Sequence, residues 1–375
     1  MHHVLPRTGN WVADDYTIVI FHEREVLIMQ KVSEVASMRT AILGAGALGI
    51  IMGALIAKGG YPIDLVDSYK ENVDSLNANG ATVIGFLELN VPVTALTPDQ
   101  LEGCYDLVLL LTKQTNNEIA LKQFLPHLHK DSIVCTLQNG IPEESVAAYV
   151  GKDRTIGGAV LFGATWEKPG VSSLTSPYEN TRKSAFTIGE MDGTLRPRLR
   201  QVKEILETIG KTEVITNLTE VRWTKLLMNA TFSGMAAALN CTFGDVLDNS
   251  KAMECVAHIA DETVKVCHAQ GYRMVEVLGE NFENFELTTN ADIPQKIQLF
   301  RKLWDNQGAQ KGSMLQDLEK GKKTEIDCIN GVICQTGRKF GFSTPYNDRV
   351  VELIKEEEKS GRLNDFSYLS RFDNI

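Results

Sequence analysis

The stretch Thr40-Ala41-Ile42-Leu43-Gly44-Ala45-Gly46-Ala47-Leu48-Gly49 decides the fold. Its apolar start reads as a short buried strand, and the glycines match G-x-G-x-x-G ahead of an uncharged helix ending at Lys58. Such hexamers also arise by chance. Here a strand precedes and a helix follows, which is the context that gives the pattern meaning. Gly44 makes the tight turn, Gly46 lets a pyrophosphate approach the backbone, and Gly49 allows close helix–strand packing. Backbone N–H groups and the positive helix end then bind phosphates. The uncharged run Ala41 to Ala57 also contains a G-x-x-x-G at Gly49 and Gly53, which invites a membrane reading. The run is short for a span and begins with a glycine turn, so a buried helix is the better reading.

Working outward, residues 62–66 read as a second strand and 71–79 as a helix. Residues 106–112 and 132–137 read as fully buried parallel strands. This alternation implies a doubly wound sheet. Asp67 ends the second strand about 20 residues past the glycines, where a carboxylate accepts from the adenosine ribose hydroxyls and repels a 2′-phosphate. That favours NADH over NADPH. Lys70, nearby, could offset the charge, and an ordinary surface aspartate is the competing reading. Lys113 and Asn139 lie in loops after the 106–112 and 132–137 strands, at the sheet edge where ligands bind.

Residues 155–189 look β-rich, followed by a helix over 195–209 and a strand near 213–215. Beyond about Leu218 helical periodicity continues, with breaks at Gly244, Gly271, Pro294 and Gly341. The expected class is α/β: an N-terminal Rossmann domain with a doubly wound parallel sheet (38–218) plus an all-helical C-terminal domain (219–375). A length of 375 residues suits two domains with a cleft between them. Residues 1–37 do not read as a signal peptide, since Asp14, Asp15, Glu23 and Glu25 interrupt any apolar core. The expectation is an extension of unknown role, with a tail or a misplaced start as the alternatives.

Net charge is −10 with a pI near 5.3, which leaves no electrostatic footprint for nucleic acid or anionic membrane. An anionic small molecule would need individually placed cations. The seven cysteines show no C-x-x-C spacing and read as reduced thiols of a cytoplasmic protein. The histidines form no metal pattern, so no metal is expected. Apolar stretches in the helical part could serve a homodimer interface or the core.

In Trp223-Thr224-Lys225-Leu226-Leu227-Met228-Asn229, positions four apart share a helix face, so Lys225, Asn229 and Ser233 form a polar row. Leu226, Leu227, Met228, Phe232 and Met235 flank it, which a solvated face would not carry. A buried ammonium costs several kcal/mol unless it is paired or used. The alternative is a lysine that snorkels to water.

Together these residues resemble the ketopantoate reductases (2-dehydropantoate 2-reductases) from Met38 to about Lys355. The pieces are Gly44–Gly49, Lys113-Gln114-Thr115, Gln138-Asn139-Gly140, Trp223-x-Lys225-x-x-x-Asn229, Ser313-Met314-Leu315-Gln316-Asp317, and Thr324-Glu325-Ile326-Asp327 with Asn330-Gly331. The resemblance implies a Rossmann domain joined to a helical domain, with catalysis in the cleft. It implies Lys225 and Glu325 as catalytic residues. Asn139, Asn229, Ser233, Gln310 and Ser313 would contact substrate. Gly44, Gly46, Ala47, Leu48, Gly49, Asp67, Lys113, Asn139 and Glu325 would contact an NAD(P)H cofactor. Ser233 and Gln310 stand where the family often has asparagine, and Asp67 where NADPH users often carry a basic residue. All three are similar to a clade of NAD-dependent D-2-hydroxyacid dehydrogenases acting on branched or aromatic 2-keto acids.

The expected reaction is hydride transfer to the keto group of a 2-keto acid, 2-dehydropantoate giving pantoate, with Lys225 as general acid. Negative charge grows on the carbonyl oxygen, and an ammonium is protonated at neutral pH by its reference pKa. Glu325 could pair with that lysine, accept from the substrate hydroxyl, or both. His258 and His268 have apolar neighbours and no motif. A non-catalytic dinucleotide sensor is the reading from another class, and it would leave Lys225 and Glu325 without a task.

Overall fold

The computed structural model describes residues 35, 37–277, 279–373 and 375, so the expected extension 1–37 lies outside the described residues except for Val35 and Ser37. Strands β1 (Thr40–Leu43), β2 (Ile63–Val66), β3 (Ala81–Gly85), β4 (Leu89–Val91), β5 (Thr94–Leu96), β6 (Tyr105–Leu110), β7 (Leu128–Thr136), β8 (Thr155–Val160), β9 (Ala164–Lys168), β10 (Val171–Leu174), β11 (Phe186–Glu190) and β12 (Thr212–Val214) build two sheets. The larger runs β12-β11-β8-β7-β6-β1-β2-β5. From β5 to β8 every pairing is parallel; β11 then joins antiparallel to β8. The chain goes one way from β1 through β2 to β5 and the other way from β6. Ligands bind at such a reversal, outside the carboxyl ends of the strands.

The smaller sheet, β4-β3-β10-β9, was legible only as β-rich character after residue 155. It covers the side of the helix Ala47–Lys58 that faces away from the main sheet. Residues Gly49 to Ile56 of that helix are all buried. A helix apolar all round is one enclosed all round. The uncharged run is thus explained by burial between two sheets, and a Cβ on Gly53 would press to 2.8 Å from the Leu65 side chain. Among the described residues no helix is long and apolar enough to cross a membrane.

Beyond Val214 the described chain is helical, apart from a small hairpin of Glu276–Val277 with Glu280–Asn281. The long helix Ser250–Ala269 packs against Leu218–Met228, Asn330–Phe340 and Pro345–Ser360, forming a second core. The marked breaks hold with one exception. Gly271 and Gly341 have φ of 84° and 77°, and Pro294 stands in the first turn of Ile293–Trp304. Gly244 does not break a helix. It lies inside Phe243–Asp248, where its missing side chain lets the backbone of Gly308 approach.

One buried carboxyl in this lobe sets a stability test. Glu357 is 2 % exposed; its Oε1 accepts from the Asn364 N–H at 2.7 Å, while Oε2 has no partner among the described residues. Burial pushes its pKa up to about 7 from an ordinary 4.5. Between those values the native state keeps a proton that the unfolded chain releases, so stability falls as pH rises across the window. Glu357→Gln is expected to flatten that fall, with a gain over wild type of order 2 kcal/mol at pH 8 and little at pH 4.5. Thermal unfolding at several pH values reads the gap. A gap that does not change with pH would mean Glu357 is already ionised in the folded protein.

Candidate active site

A cleft of about 710 Å³ lies between the carboxyl ends of β1, β2, β6, β7 and β8 and the helical lobe. Every residue to which the family resemblance gives a catalytic, substrate or cofactor role lines it: Gly44, Gly46, Ala47, Leu48, Gly49, Asp67, Lys113, Asn139, Lys225, Asn229, Ser233, Gln310, Ser313 and Glu325.

The glycine loop has the geometry a dinucleotide needs. Gly44 has φ of 107°, and a Cβ there would lie 2.6 Å from the Thr112 backbone nitrogen. A Cβ on Gly49 would lie 2.2 Å from the Gly44 carbonyl oxygen, so helix and turn can meet only without it. Gly46 has nothing within 4 Å of its missing Cβ and borders the cleft, leaving backbone open to an approaching group. The helix Ala47–Lys58 carries no side-chain cap and no acidic residue in its first turn, so its leading N–H groups are available to an anion. These residues fit the phosphates of NAD(P)H.

Asp67 follows β2 directly. Its Oδ1 accepts from the Tyr69 N–H at 2.9 Å and its Oδ2 from the Asn72 amide at 3.3 Å. Burial raises its pKa above the usual value, with these hydrogen bonds acting the other way. Lys70 does not offset the charge: it pairs with Asp74 one turn further along its own helix, at 2.7 Å.

Two loops are stitched together behind the cofactor side. Buried Gln138 donates to the Thr112 carbonyl and to Asn117 Oδ1, each at 2.6 Å, and Gln114 Nε2 donates to the Asn139 carbonyl at 2.6 Å. Lys113 pairs with Asp317, joining the two lobes. Glu325 Oε1 accepts from the Gln114 N–H at 2.9 Å, a second bridge between the lobes. Burial raises the Glu325 pKa above its ordinary value. Glu325 therefore touches the Rossmann lobe and stands just before a short turn, Ile326–Cys328, which precedes the helix Asn330–Phe340.

Lys225 donates from Nζ to the Val160 carbonyl at 2.8 Å, at the end of β8. It is not paired with Glu325. Desolvation, and then the Arg222 guanidinium on the same helix, push its pKa down from the ordinary 10.5 to about 7. Removing water penalises a charge, and a like charge nearby adds to the penalty. The polar row also changes pitch. Leu218–Met228 is α-helical, but Asn229–Ser233 forms a π turn, with Asn330 Nδ2 donating to the Ala230 carbonyl at 3.1 Å. Such single turns recur at functional sites. Among the described residues, the side chains of Asn139, Asn229, Ser233, Gln310 and Ser313 have no hydrogen-bond partner. Uncharged donors and acceptors without partners thus share one cleft with the Lys225 amine, a set of groups able to hydrogen-bond a small polar anion.

Sequence reading missed the aromatic part of the wall. Phe162, Phe243 and Trp304 line the cleft, with Phe243 and Trp304 edge to face at 5.2 Å between ring centres. Phe243 and Trp304 repeat with the apolar period of their helices and so read as core, while Phe162 lies in the loop between β8 and β9, where no period marks it. His258 stacks on Tyr346 and His268 contacts Glu283, both away from the cleft.

Two family models match the chain: "Ketopantoate reductase PanE/ApbA" over residues 40–193 and "Ketopantoate reductase PanE/ApbA C terminal" over 217–358. A 2-dehydropantoate 2-reductase of Pyrococcus horikoshii is 28% identical over 326 residues, covering 86% of this chain and 99% of its own. One from Archaeoglobus fulgidus is 29% identical over 324 residues, covering 85% and 98%. A solved D-mandelate dehydrogenase bound to NADH and anilino(oxo)acetate superposes with a TM-score of 0.74 at 26% identity, over 87% of this chain and all of that one. A ketopantoate reductase of Ralstonia eutropha shares the fold, with a TM-score of 0.72 at 22% identity, over 86% and 99%. Since both halves of the family pattern run in order through one chain whose fold matches family members nearly end to end, this protein belongs to the ketopantoate reductase family and is an oxidoreductase.

Proposed function

We propose that the protein reduces the keto group of a 2-keto acid, 2-dehydropantoate to pantoate, with Lys225 as general acid. The observation that carries this is the Lys225 amine, held by the Val160 carbonyl at 2.8 Å, lining a cleft of unpartnered amides and hydroxyls beside the glycine loop. When bound, a reduced nicotinamide supplies the hydride. The Val160 carbonyl takes one of the three Lys225 N–H donors and holds the amine in place, leaving others for the keto oxygen. A donor whose pKa lies near the working pH gives up its proton readily and recovers it between turnovers. Asn229 and Asn139 orient the keto acid, and Ser313 with nearby backbone N–H groups meets its carboxylate. Glu325 accepts from the substrate hydroxyl. The division of labour falls at residue 218, with cofactor contacts before it and substrate contacts mostly after.

A second reading keeps the same chemistry and changes the substrate: an NAD-dependent D-2-hydroxyacid dehydrogenase for branched or aromatic 2-keto acids. It is supported by the Phe162, Phe243 and Trp304 wall, by Ser233, Gln310 and Asp67, and by the likeness to D-mandelate dehydrogenase. Nicotinamide oxidation with ketopantoate, 2-ketoisovalerate, 2-ketoisocaproate and phenylglyoxylate separates the two. The first reading expects the highest kcat/KM for ketopantoate, and the second expects it for phenylglyoxylate or a branched acid. Cofactor binding without turnover on any of them would sink both.

A further inference from the structure

We propose that Arg222, held by Glu143, is a positioning residue for the reaction: it docks the helix carrying Lys225 onto the end of β7 and so fixes Asn139 relative to that lysine. The inference rests on the reading of Lys225 as proton donor.

Arg222 is 1 % exposed, yet its whole guanidinium fork is in use. Nε donates to Glu143 Oε1 at 2.6 Å, Nη1 to the Gln138 carbonyl at 2.7 Å, and Nη2 to the Thr136 carbonyl at 3.0 Å. Thr136 is the last residue of β7 and Gln138 adjoins Asn139, so the fork grips the loop that brings Asn139 into the cleft. Three residues on, Lys225 lies on the same helix face and reaches the last carbonyl of the neighbouring strand, β8. One face thus rests on the ends of two adjacent strands through two cations. The strand opposite is cleared for the pair, since a Cβ on Gly157 would lie 2.2 Å from Glu143 Oε1.

Stability alone is a weak reason for such a pair. Buried ion pairs can often be replaced by apolar groups of similar volume at no cost. What an apolar contact lacks is direction, whereas a planar fork with three fixed acceptors sets both the distance and the rotation of the helix. Arg222 also acts on Lys225 through its charge, as the second cause of that lysine's depressed pKa after desolvation. The other ionisable groups around the pair are Glu143 itself, Cys135 on β7 with its thiol pushed up to about 12, and Glu190 on β11, which is bound to Arg196 and Arg198. The cleft that Lys225 lines also holds Asp67, Lys113, Lys311 and Glu325.

Two variants test this in the full-length enzyme, with circular dichroism and NADH binding as controls for folding. Arg222→Lys keeps the charge but cannot span three acceptors. It is expected to lower kcat about 10- to 100-fold, as small misplacements do, with the KM for cofactor and the basic limb of the pH profile in place. The double variant Arg222→Met with Glu143→Gln removes both charges. It is expected to lose kcat similarly and to move the basic limb to higher pH. A folded Arg222→Lys enzyme with wild-type kcat overturns the proposal, as does a folded double variant with wild-type kcat. If the double variant does not fold, the kcat of Arg222→Lys decides. Retained turnover in Lys225→Ala would instead remove the underlying reading, whatever Arg222 does.

Discussion

Lys225→Ala is expected to lower kcat by about 10²- to 10⁴-fold, the usual worth of a positioned general acid, while NADH binding stays near normal. Lys225 lines the cleft from the helical lobe and Gly44, Gly46 and Gly49 line it from the other, so the two effects are expected to separate. The pH profile gives a sharper test. Reduction needs the ammonium, and with a pKa near 7 the protonated fraction falls above that pH. The rate of keto-acid reduction should be flat in acid and drop about tenfold per pH unit on the basic side. Oxidation of the hydroxy acid needs the neutral amine and should rise over the same window. Lys225→Arg keeps a charge that does not titrate in this range, so any residual reduction should lose its basic limb. A wild-type reduction rate that stays level to pH 9 would mean that the Lys225 pKa is not depressed, and retained turnover in Lys225→Ala would take Lys225 out of the proton transfer.

The second large effect concerns cofactor choice at Asp67. Its carboxylate follows β2, is fixed by the Tyr69 N–H and the Asn72 amide, and borders the cleft on the phosphate-loop side. The lysine that might have neutralised it is occupied by Asp74. A 2′-phosphate placed there would meet an uncompensated like charge, which costs several kcal/mol in a desolvated contact. NADH is therefore expected to exceed NADPH in kcat/KM by on the order of 100-fold, given 1.4 kcal/mol per factor of ten. Asp67→Ser should narrow the ratio from both sides. It relieves NADPH of the repulsion, and it takes from NADH a hydrogen bond to a charged acceptor worth about 1.5–3 kcal/mol. Equal use of both cofactors by the wild type, or an unchanged ratio in Asp67→Ser, would refute this role.

Much of the site was visible in the chain because its chemistry is written locally. Gly44 and Gly49 are needed by the turn they make, and a turn spans only a few residues. Lys225, Asn229 and Ser233 share a face through helix spacing, and even the π turn leaves all three on the cleft. The smaller sheet was harder. Its edge strand β4 is three residues long and only partly buried, too short to show a period. Phe243 and Trp304 carry the same helical signal as core residues, so which of them faces a cavity has no local mark.

The sequence by itself determined the Rossmann turn, the buried strands, the helical second half and the residue types of the cleft, since each depends on neighbours a few positions apart. The tertiary structure alone decided what those residues experience. Arg222 meets Glu143 across 79 positions, Glu325 meets the Gln114 N–H across 211, and Lys225 loses its water only when the helical lobe closes onto β8. Desolvation and partner choice arise from distances in the folded chain, and those are set when the whole core packs.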